Sequence, residues 1–338
     1  MTVWLVTGGA GFIGSHFISH ILNVHPSDSV FNFDLLTYAG NLDNLTSIQD
    51  NPNYHFVRGD IRNQHEVDSV MKHGIDYVVN FAAETHVDRS IADAGLFVQT
   101  NVYGTQVLLE SARKHRVRKF VQVSTDEVYG SLGKTGTFYE STLLAPSSPY
   151  SASKAAADLM VQSYQHTYGL PVNITRCTNN YGPYQFPEKL IPLTIARAMA
   201  HKKIPVYGDG RQIRDWLHVS DHCKAIDWVA HHGRAGEVYN IGGENERENI
   251  TIVRAILRHL NKPESLIEHV SDRPGHDRRY AMDSGKLRRE SGWRPAYPFD
   301  IGLEETIRWY VEHPKWWQRL LGQETPQSAA GMDGGDDS

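Results

Sequence analysis

The chain has 338 residues, 40% hydrophobic and 22% charged, with a formal net charge of −5. That suits two domains, or one large α/β domain with an elaborated lobe, and is enough to bury a sizeable core. The negative balance argues against a nucleic-acid or anionic-membrane surface. No apolar run nears the ~18 residues of a membrane span.

The first residues set the pattern. Val3 to Thr7 reads as a strand and Phe12 to Asn23 as its helix, with Gly8, Gly9, Gly11 and Gly14 breaking the apolar run between and within them. That is strand, loop and helix, not a signal peptide. Strands follow at Val30 to Asp34 and Tyr54 to Gly59, then a polar helix around Gln64 to Lys72 and an apolar strand from Asp76 to Ala83. A long helix is expected over Leu96 to His115, a strand over Lys119 to Val123, a second long helix over Tyr150 to Tyr168, and a strand over Val172 to Arg176. Repeated βαβ order predicts an α/β fold with a doubly wound parallel (Rossmann) sheet.

Prolines, glycines and aromatics crowd together from Pro183, around a short helix at Ile191 to His201, and Tyr239 to Gly243 is a later strand. The expected division is a dinucleotide-binding domain over 1–186, to which 221–245 returns, and a smaller lobe from 187–220 and 246–325. Residues 326–338 have the composition of a disordered tail. Trp309-Tyr310 and Trp316-Trp317 read as C-terminal packing.

Gly8-x-x-Gly11-x-x-Gly14 lies between a strand and a helix, where amides can meet a pyrophosphate. Asp34, twenty residues past Gly14, ends the next strand, where a carboxylate can bond a ribose 2′-hydroxyl and repel a 2′-phosphate. NAD is therefore favoured over NADP. Asp60-Ile61 ends the third strand and is the expected adenine contact, though a plain loop aspartate fits almost as well.

Tyr150-x-x-x-Lys154 sets a phenol and an ammonium one helical turn apart. A tyrosine near pKa ~10 is a poor base, and bringing it to about 7 takes ~4 kcal/mol of differential stabilisation. A cation held against the phenolate, Lys154 together with a positively charged nicotinamide, is expected to supply it. Upstream, Asp126-Glu127 places two carboxylates where a hydrophobic strand gives out. Their closeness raises at least one pKa, giving an acid and a base in one site. Taken alone the pair fits a solvated loop equally well. Neighbouring strand residues point to opposite faces, so both serve one substrate only if the chain turns there, as Val128-Tyr129-Gly130 permits. The eighteen histidines are scattered and form no HExxH or paired-ligand pattern, so no metal is expected. His231-His232 read as the solvated end of an amphipathic helix. The two cysteines lack metal-ligand spacing and point to a reducing cytoplasm.

Longer stretches carry a resemblance. They include Asp34-Leu35-Leu36-Thr37-Tyr38-Ala39-Gly40-Asn41, Asn80-Phe81-Ala82-Ala83-Glu84-Thr85-His86-Val87-Asp88-Arg89-Ser90, Asn179 through Pro192, Gln212 through Trp216 and Asp272 through Tyr280. Together they resemble the extended short-chain dehydrogenase/reductase family and, within it, the dTDP-glucose 4,6-dehydratases, over nearly the whole chain. The resemblance implies an NAD-dependent lyase that dehydrates a nucleotide-diphospho-glucose to its 4-keto-6-deoxy sugar. It implies Tyr150 as base at the sugar C4 hydroxyl, Lys154 holding it and the nicotinamide ribose, and Thr125 bonding the C4 oxygen. Asp126 would protonate the departing C6 hydroxyl and Glu127 would take the C5 proton. The cofactor would meet Gly8, Gly11, Phe12, Ile13, Gly14, Asp34, Leu35, Leu36, Thr37, Asp60, Ile61, Ala82, Ala83, Thr100, Tyr150, Lys154 and Asn180. The nucleotide sugar would meet Thr85, Thr125, Asn179, Lys189, Leu190, Pro205, Tyr207, Arg214, Asn249, Asp272, Arg273, Pro274, Gly275 and His276. The family more often has serine where Thr85 stands, which keeps the hydroxyl. A homodimer is implied, with Leu96–His115 and Tyr150–Tyr168 packing as a four-helix bundle. A 4-epimerase of the same fold, a UDP- or CDP-glucose dehydratase and a non-catalytic NAD sensor stay open. The carboxylate pair speaks against the epimerase and the sensor.

Overall fold

Runs of β-branched and aromatic residues pair as the alternation predicts. The computed structural model of the chain describes residues 1–322, so the tail expected over 326–338 lies outside the described residues. In chain order the first strands are β1 (Val3–Thr7), β2 (Ser29–Asp34), β3 (Tyr54–Arg58), β4 (Tyr77–Asn80), β5 (Lys119–Thr125) and β6 (Val172–Cys177). The later ones are β7 (Asn179–Tyr181), β8 (Ile204–Tyr207), β9 (Ile213–His218), β10 (Val238–Ile241), β11 (Glu246–Glu248) and β12 (Ile267–Val270). Seven of them form one sheet in the order β10-β6-β5-β4-β1-β2-β3, and every pair in it is parallel. The strand order reverses between β1 and β4, which opens a crevice beyond their carboxyl ends.

Helices cover both faces. Phe17, Ile18 and Ile21 from the Phe12–Val24 helix pack with Val229 and Ala230 from the Val219–His232 helix on one side. Val107 and Leu108 pack with Val161 and Tyr164 on the other. Two small sheets, β11-β9-β7 and β12-β8, lie outside the main one. A separate core of Ile195, Ile256, Leu303 and Tyr310 packs with Trp216 of β9 and Trp317, so the C-terminal aromatics do pack as expected.

Two departures from the expected elements matter for the site. β5 runs two residues further, to Thr125, before a 3₁₀ turn at Asp126–Tyr129. The helix expected over Leu96 to His115 is broken into Ala94–Phe97, a π stretch at Val98–Gly104, and Thr105–Lys114. Within the π stretch the Asn101 side chain receives Glu84 N at 2.8 Å and donates to Glu84 O at 3.0 Å and Ser153 Oγ at 2.8 Å. A π bulge of this kind re-aims side chains at the cost of regular hydrogen bonding, and here it ties the loop after β4 to the Pro149–Tyr168 helix.

Candidate active site

The turn after β1 explains its glycines. Gly8 has φ 68°, and a Cβ there would fall 2.6 Å from the backbone nitrogen of Ala82. A Cβ on Gly14 would meet the Gly8 carbonyl oxygen at 2.4 Å. The backbone can therefore press close to β4 and leave the helix N-terminus open. Asp34 closes the far side of this cradle, accepting from Ala10 N at 3.0 Å and Leu36 N at 2.7 Å. A cavity of about 370 Å³ follows, lined by Gly8, Gly11, Phe12, Ile13, Gly14, Asp34, Leu35, Thr37, Asp60, Ile61, Ala82, Ala83, Thr100, Tyr150, Lys154 and Asn180. Of the expected cofactor residues only Leu36 is not part of that lining. It takes the left-handed φ of 58° that lets its amide turn back onto Asp34. Asp60 is already engaged by Arg62, whose Nη2 donates to Oδ2 at 2.7 Å. Burial pushes Asp60 up, and the bonds and charge of Arg62 bring it below the usual carboxylate range.

The catalytic turn is assembled from β5 and the helix that follows. Ser148 and Ser151 form a reciprocal capping box, Pro149 starts the helix and Gly169 ends it at φ 68°. Tyr150 thus sits buried in the first turn and Lys154 one turn on, also buried. Thr125 caps the 3₁₀ turn, receiving Glu127 N at 3.3 Å, and its hydroxyl donates to Asp126 Oδ1 at 3.1 Å. From below, Arg176 bonds Asp158 at 2.8 Å and the Tyr129 hydroxyl at 2.9 Å, and Tyr129 donates to Asn240 at 2.8 Å. This buried network pins the turn that carries the acid and base.

The turn brings Asp126 and Glu127 into one cavity with Thr125 and Tyr150, which a straight strand would not do. Asp126 is buried and its Oδ2 has no hydrogen-bond partner within the chain. Burial, followed by the nearby Glu127, pushes its carboxyl well above the usual range. Glu127 is raised too, first by burial, with Arg214, Arg273 and Lys189 pulling the other way. The lowering expected for Tyr150 rests on Lys154 together with a positively charged nicotinamide, and in the chain alone the shift runs upward. Burial, Glu127, Cys177 and Asp126 push the phenol well above 10, and only a bond with Thr125 opposes them. Burial is the largest of these causes; Lys154 Nζ donates to the Val123 carbonyl at 2.8 Å, and burial lowers its own pKa.

A second cavity of about 930 Å³ adjoins the first, and Thr85, Glu127, Asn179, Glu188 and Lys189 line both. Leu190, Pro205, Tyr207, Arg214, Asn249, Arg273 and His276 of the expected set line it too, and Thr125 lines the first. Arg214 is held by carbonyls, donating to Ile213 O at 2.8 Å and Asp277 O at 2.9 Å, over the Tyr280 ring at 4.2 Å. Asp272, Pro274 and Gly275 do not line the cavity. Asp272 instead receives Gln212 Nε2 at 3.0 Å and lies 2.6 Å from His276 Nδ1, which shapes the loop. Gly275 takes φ 66° where a Cβ would strike the Ser147 carbonyl at 2.7 Å. Glu84, Glu188, Gln212 and Tyr280 also line these cavities. All four lie inside the motif stretches of the sequence, which was the signal available for them.

A doubly wound parallel sheet, a glycine cradle backed by an acidic strand end, and a Tyr-x-x-x-Lys helix beside a carboxylate pair define an NAD-binding enzyme of the short-chain dehydrogenase type. The chain belongs to the family described as GDP-mannose 4,6 dehydratase, whose model matches residues 5–306. A dTDP-glucose 4,6-dehydratase from Xanthomonas campestris pv. campestris is 54% identical to it over 340 residues, 95% of this chain and 96% of that one. The crystal structure of a dTDP-glucose 4,6-dehydratase from Bacillus anthracis, in complex with NAD, superposes with a TM-score of 0.89 at 55% identity, covering 95% of this chain and 100% of that one. One from Streptomyces venezuelae, with NAD bound, gives a TM-score of 0.93 at 50% identity over 94% and 100% of the two chains.

Proposed function

We propose that the protein is a dTDP-glucose 4,6-dehydratase, an NAD-dependent hydro-lyase that forms the 4-keto-6-deoxy sugar. The observation that carries this reading is the carboxylate pair Asp126-Glu127, both with raised pKa, beside Tyr150 where the two cavities meet. Oxidation at a single carbon needs Tyr150 alone, whereas removal of water needs an acid and a base as well.

The glycine cradle and Asp34 fit a dinucleotide, since Gly8 and Gly14 leave no room for side chains and Asp34 offers its carboxylate at the cavity wall. NAD held by this cradle would supply hydride-transfer chemistry at C4 and C6. Tyr150 takes the proton of the C4 hydroxyl, with the buried ammonium of Lys154 as the chain's own cation beside it and Thr125 bonding the C4 oxygen. The C4 ketone makes the C5 proton acidic, and Glu127 removes it. Asp126, protonated because burial favours its neutral form, donates to the C6 oxygen as that bond breaks. Glu127 then returns a proton to C5, and the proton gained by Tyr150 replaces the one Asp126 gave, so that one water leaves. Arg214 and Arg273 face the diphosphate, for which guanidinium forks are suited. His276, Asn249 and Tyr207 complete the nucleotide side.

We further read the protein as a cytoplasmic homodimer. Both cysteines are free and buried, and among the described residues no helix is long and apolar enough to cross a membrane. Leu96, Val98, Tyr103, Leu159 and Tyr168 are exposed apolar positions on the two elements expected to pack across the dimer.

The deciding experiment uses substrate deuterated at C4. The label is expected at C6 of the product, while C5 acquires deuterium from D₂O. Label still at C4 indicates an epimerase, and label in released NADH indicates an ordinary dehydrogenase. Parallel turnover with dTDP-, UDP-, CDP- and GDP-glucose tests the nucleobase, with dTDP-glucose expected to be fastest.

A further inference from the structure

At the end of the sheet remote from the catalytic turn, four side chains from distant segments converge. His20 lies on the Phe12–Val24 helix and His25 caps its C-terminus, while Asp227 and His231 lie one turn apart on the Val219–His232 helix. Asp227 is the centre. His20 Nε2 is 2.9 Å from its Oδ2, His25 Nε2 is 3.1 Å from the same oxygen, and His231 Nδ1 is 2.9 Å from Oδ1. The ligand-capable atoms of His25, Asp227 and His231 all fall within 4.8 Å of one another, and among the described residues this is the one grouping of its kind.

The surroundings are those of a built site. His231 packs against Trp4 and Tyr77, at the starts of β1 and β4, with ring centroids 5.3 and 5.5 Å away. Asp28, fixed by Trp4 Nε1 at 3.1 Å and Thr2 N at 2.7 Å, adds a second negative charge that His231 feels. The side chains are largely buried, with Asp227 at 13% exposure and His25, the most open, at 31%.

Two imidazole nitrogens, from His25 and His231, and the Asp227 carboxylate make a His₂Asp donor set, with His20 bonded to Asp227 from outside it. Around a tetrahedral Zn²⁺ with bonds near 2.0–2.1 Å, ligand atoms stand roughly 3.3 Å apart, and the His25 and His231 nitrogens already lie 3.1 and 2.9 Å from the Asp227 oxygens. We propose that His25, His231 and Asp227 form a divalent transition-metal site, of the kind that takes Zn²⁺, joining the two helices that cover one face of the sheet. Three protein ligands leave one tetrahedral position for water, and His20 holds the Asp227 carboxylate from outside the set. The site is independent of the catalytic turn and of the dehydratase reading. It departs from the expectation of no metal, which rested on linear spacing, whereas these residues lie some 200 positions apart.

The test is a titration of untagged, chelator-stripped full chain with Co²⁺, which absorbs visibly in a tetrahedral nitrogen–oxygen site. The expected result is saturation at one ion per chain and loss of the band when Zn²⁺ is added. His25→Gln and Asp227→Asn should each weaken Co²⁺ binding by at least about tenfold. Zn²⁺ should raise the Tm of the wild type and leave that of His25→Gln nearly unchanged, while turnover of His25→Gln stays at the wild-type rate. Should one variant fail to fold, the other carries the comparison. A folded wild type without a saturable band, or variants that bind as tightly as it does, would overturn the proposal.

Discussion

Asp126 and Asp227 are both largely buried carboxylates, and they sit at opposite ends of the same parallel sheet. Asp126 follows β5 at its carboxyl end, beside Glu127 and with one oxygen unpartnered in the chain, and its pKa is driven well up. Asp227 lies at the amino end among three imidazoles. Burial pushes it upward too, yet hydrogen bonds from His20, His231 and His25 drive it well below the usual range. Burial works in the same direction at both sites, so the partners decide the sign. A carboxyl kept neutral is an acid ready to give a proton. A carboxylate kept charged is an anchor.

The largest effect expected from breaking the first site is that of Tyr150→Phe. General base catalysis is typically worth ~10²–10⁴-fold, and turnover should fall by that much while NAD stays bound, as fluorescence or co-purification would show. A variant retaining more than about a hundredth of the rate would place the base elsewhere. Asp126→Asn and Glu127→Gln come next. Tyr150 is intact in both, so the reduced-nicotinamide band should rise on mixing with substrate and persist, with keto product slowed roughly 10²-fold. Unchanged product formation in both would return the pair to a bystander role.

Arg214→Gln tests the partner argument directly. Burial raises Glu127 and Arg214 is the leading influence holding it down, so removing the cation should raise the Glu127 pKa further. A base must be ionised, and the acid limb of the kcat profile should therefore move to higher pH. A limb that stays in place would show that Arg214 serves the diphosphate alone.

These two ends also differ in how far they can be read from sequence. The glycine turn, Asp34 and the Tyr150–Lys154 helix were legible because each is local: a strand, a tight turn and a helix start within a few residues of one another. The carboxylate pair was legible as chemistry, and the need for a turn followed from strand geometry. Its electrostatics were only partly foreseen. Repulsion was expected to raise at least one of the two, whereas burial is the larger cause at both. The upward shift of Tyr150 in the chain alone comes first from burial, which the Tyr-x-x-x-Lys spacing does not show. The π stretch at Val98–Gly104 was read as plain helix, since its departure depends on Asn101 reaching Glu84 and Ser153 in three dimensions. The histidine cluster was hidden altogether, because tertiary folding alone brings its members together.

The smallest expected effect is on stability, and it gives the sharpest form of the comparison. Asp126 has a folded pKa above its unfolded one, so its contribution is full at low pH and is lost as pH rises through the folded value. Near neutral pH the fold disfavours its charge, and Asp126→Asn should stabilise the protein by about 0.5–2 kcal/mol, the usual exchange of activity for stability at a strained site. Asp227 is depressed, so its contribution is present above the unfolded carboxylate pKa and is lost as pH falls through the folded one. His231 is raised, chiefly by its bond to Asp227, and that contribution is full below the unfolded imidazole pKa and fades as pH rises through the folded value. Both are therefore present together in mildly acidic solution, where Asp227→Asn should cost about 1–3 kcal/mol. Tm measured for both variants from about pH 5 to 8, metal-free, spans the unperturbed imidazole range. The Asp126→Asn gain should grow toward high pH, and the Asp227→Asn loss should grow toward low pH. Shifts of the same sign in both variants would mean that partners do not set the difference between the two ends.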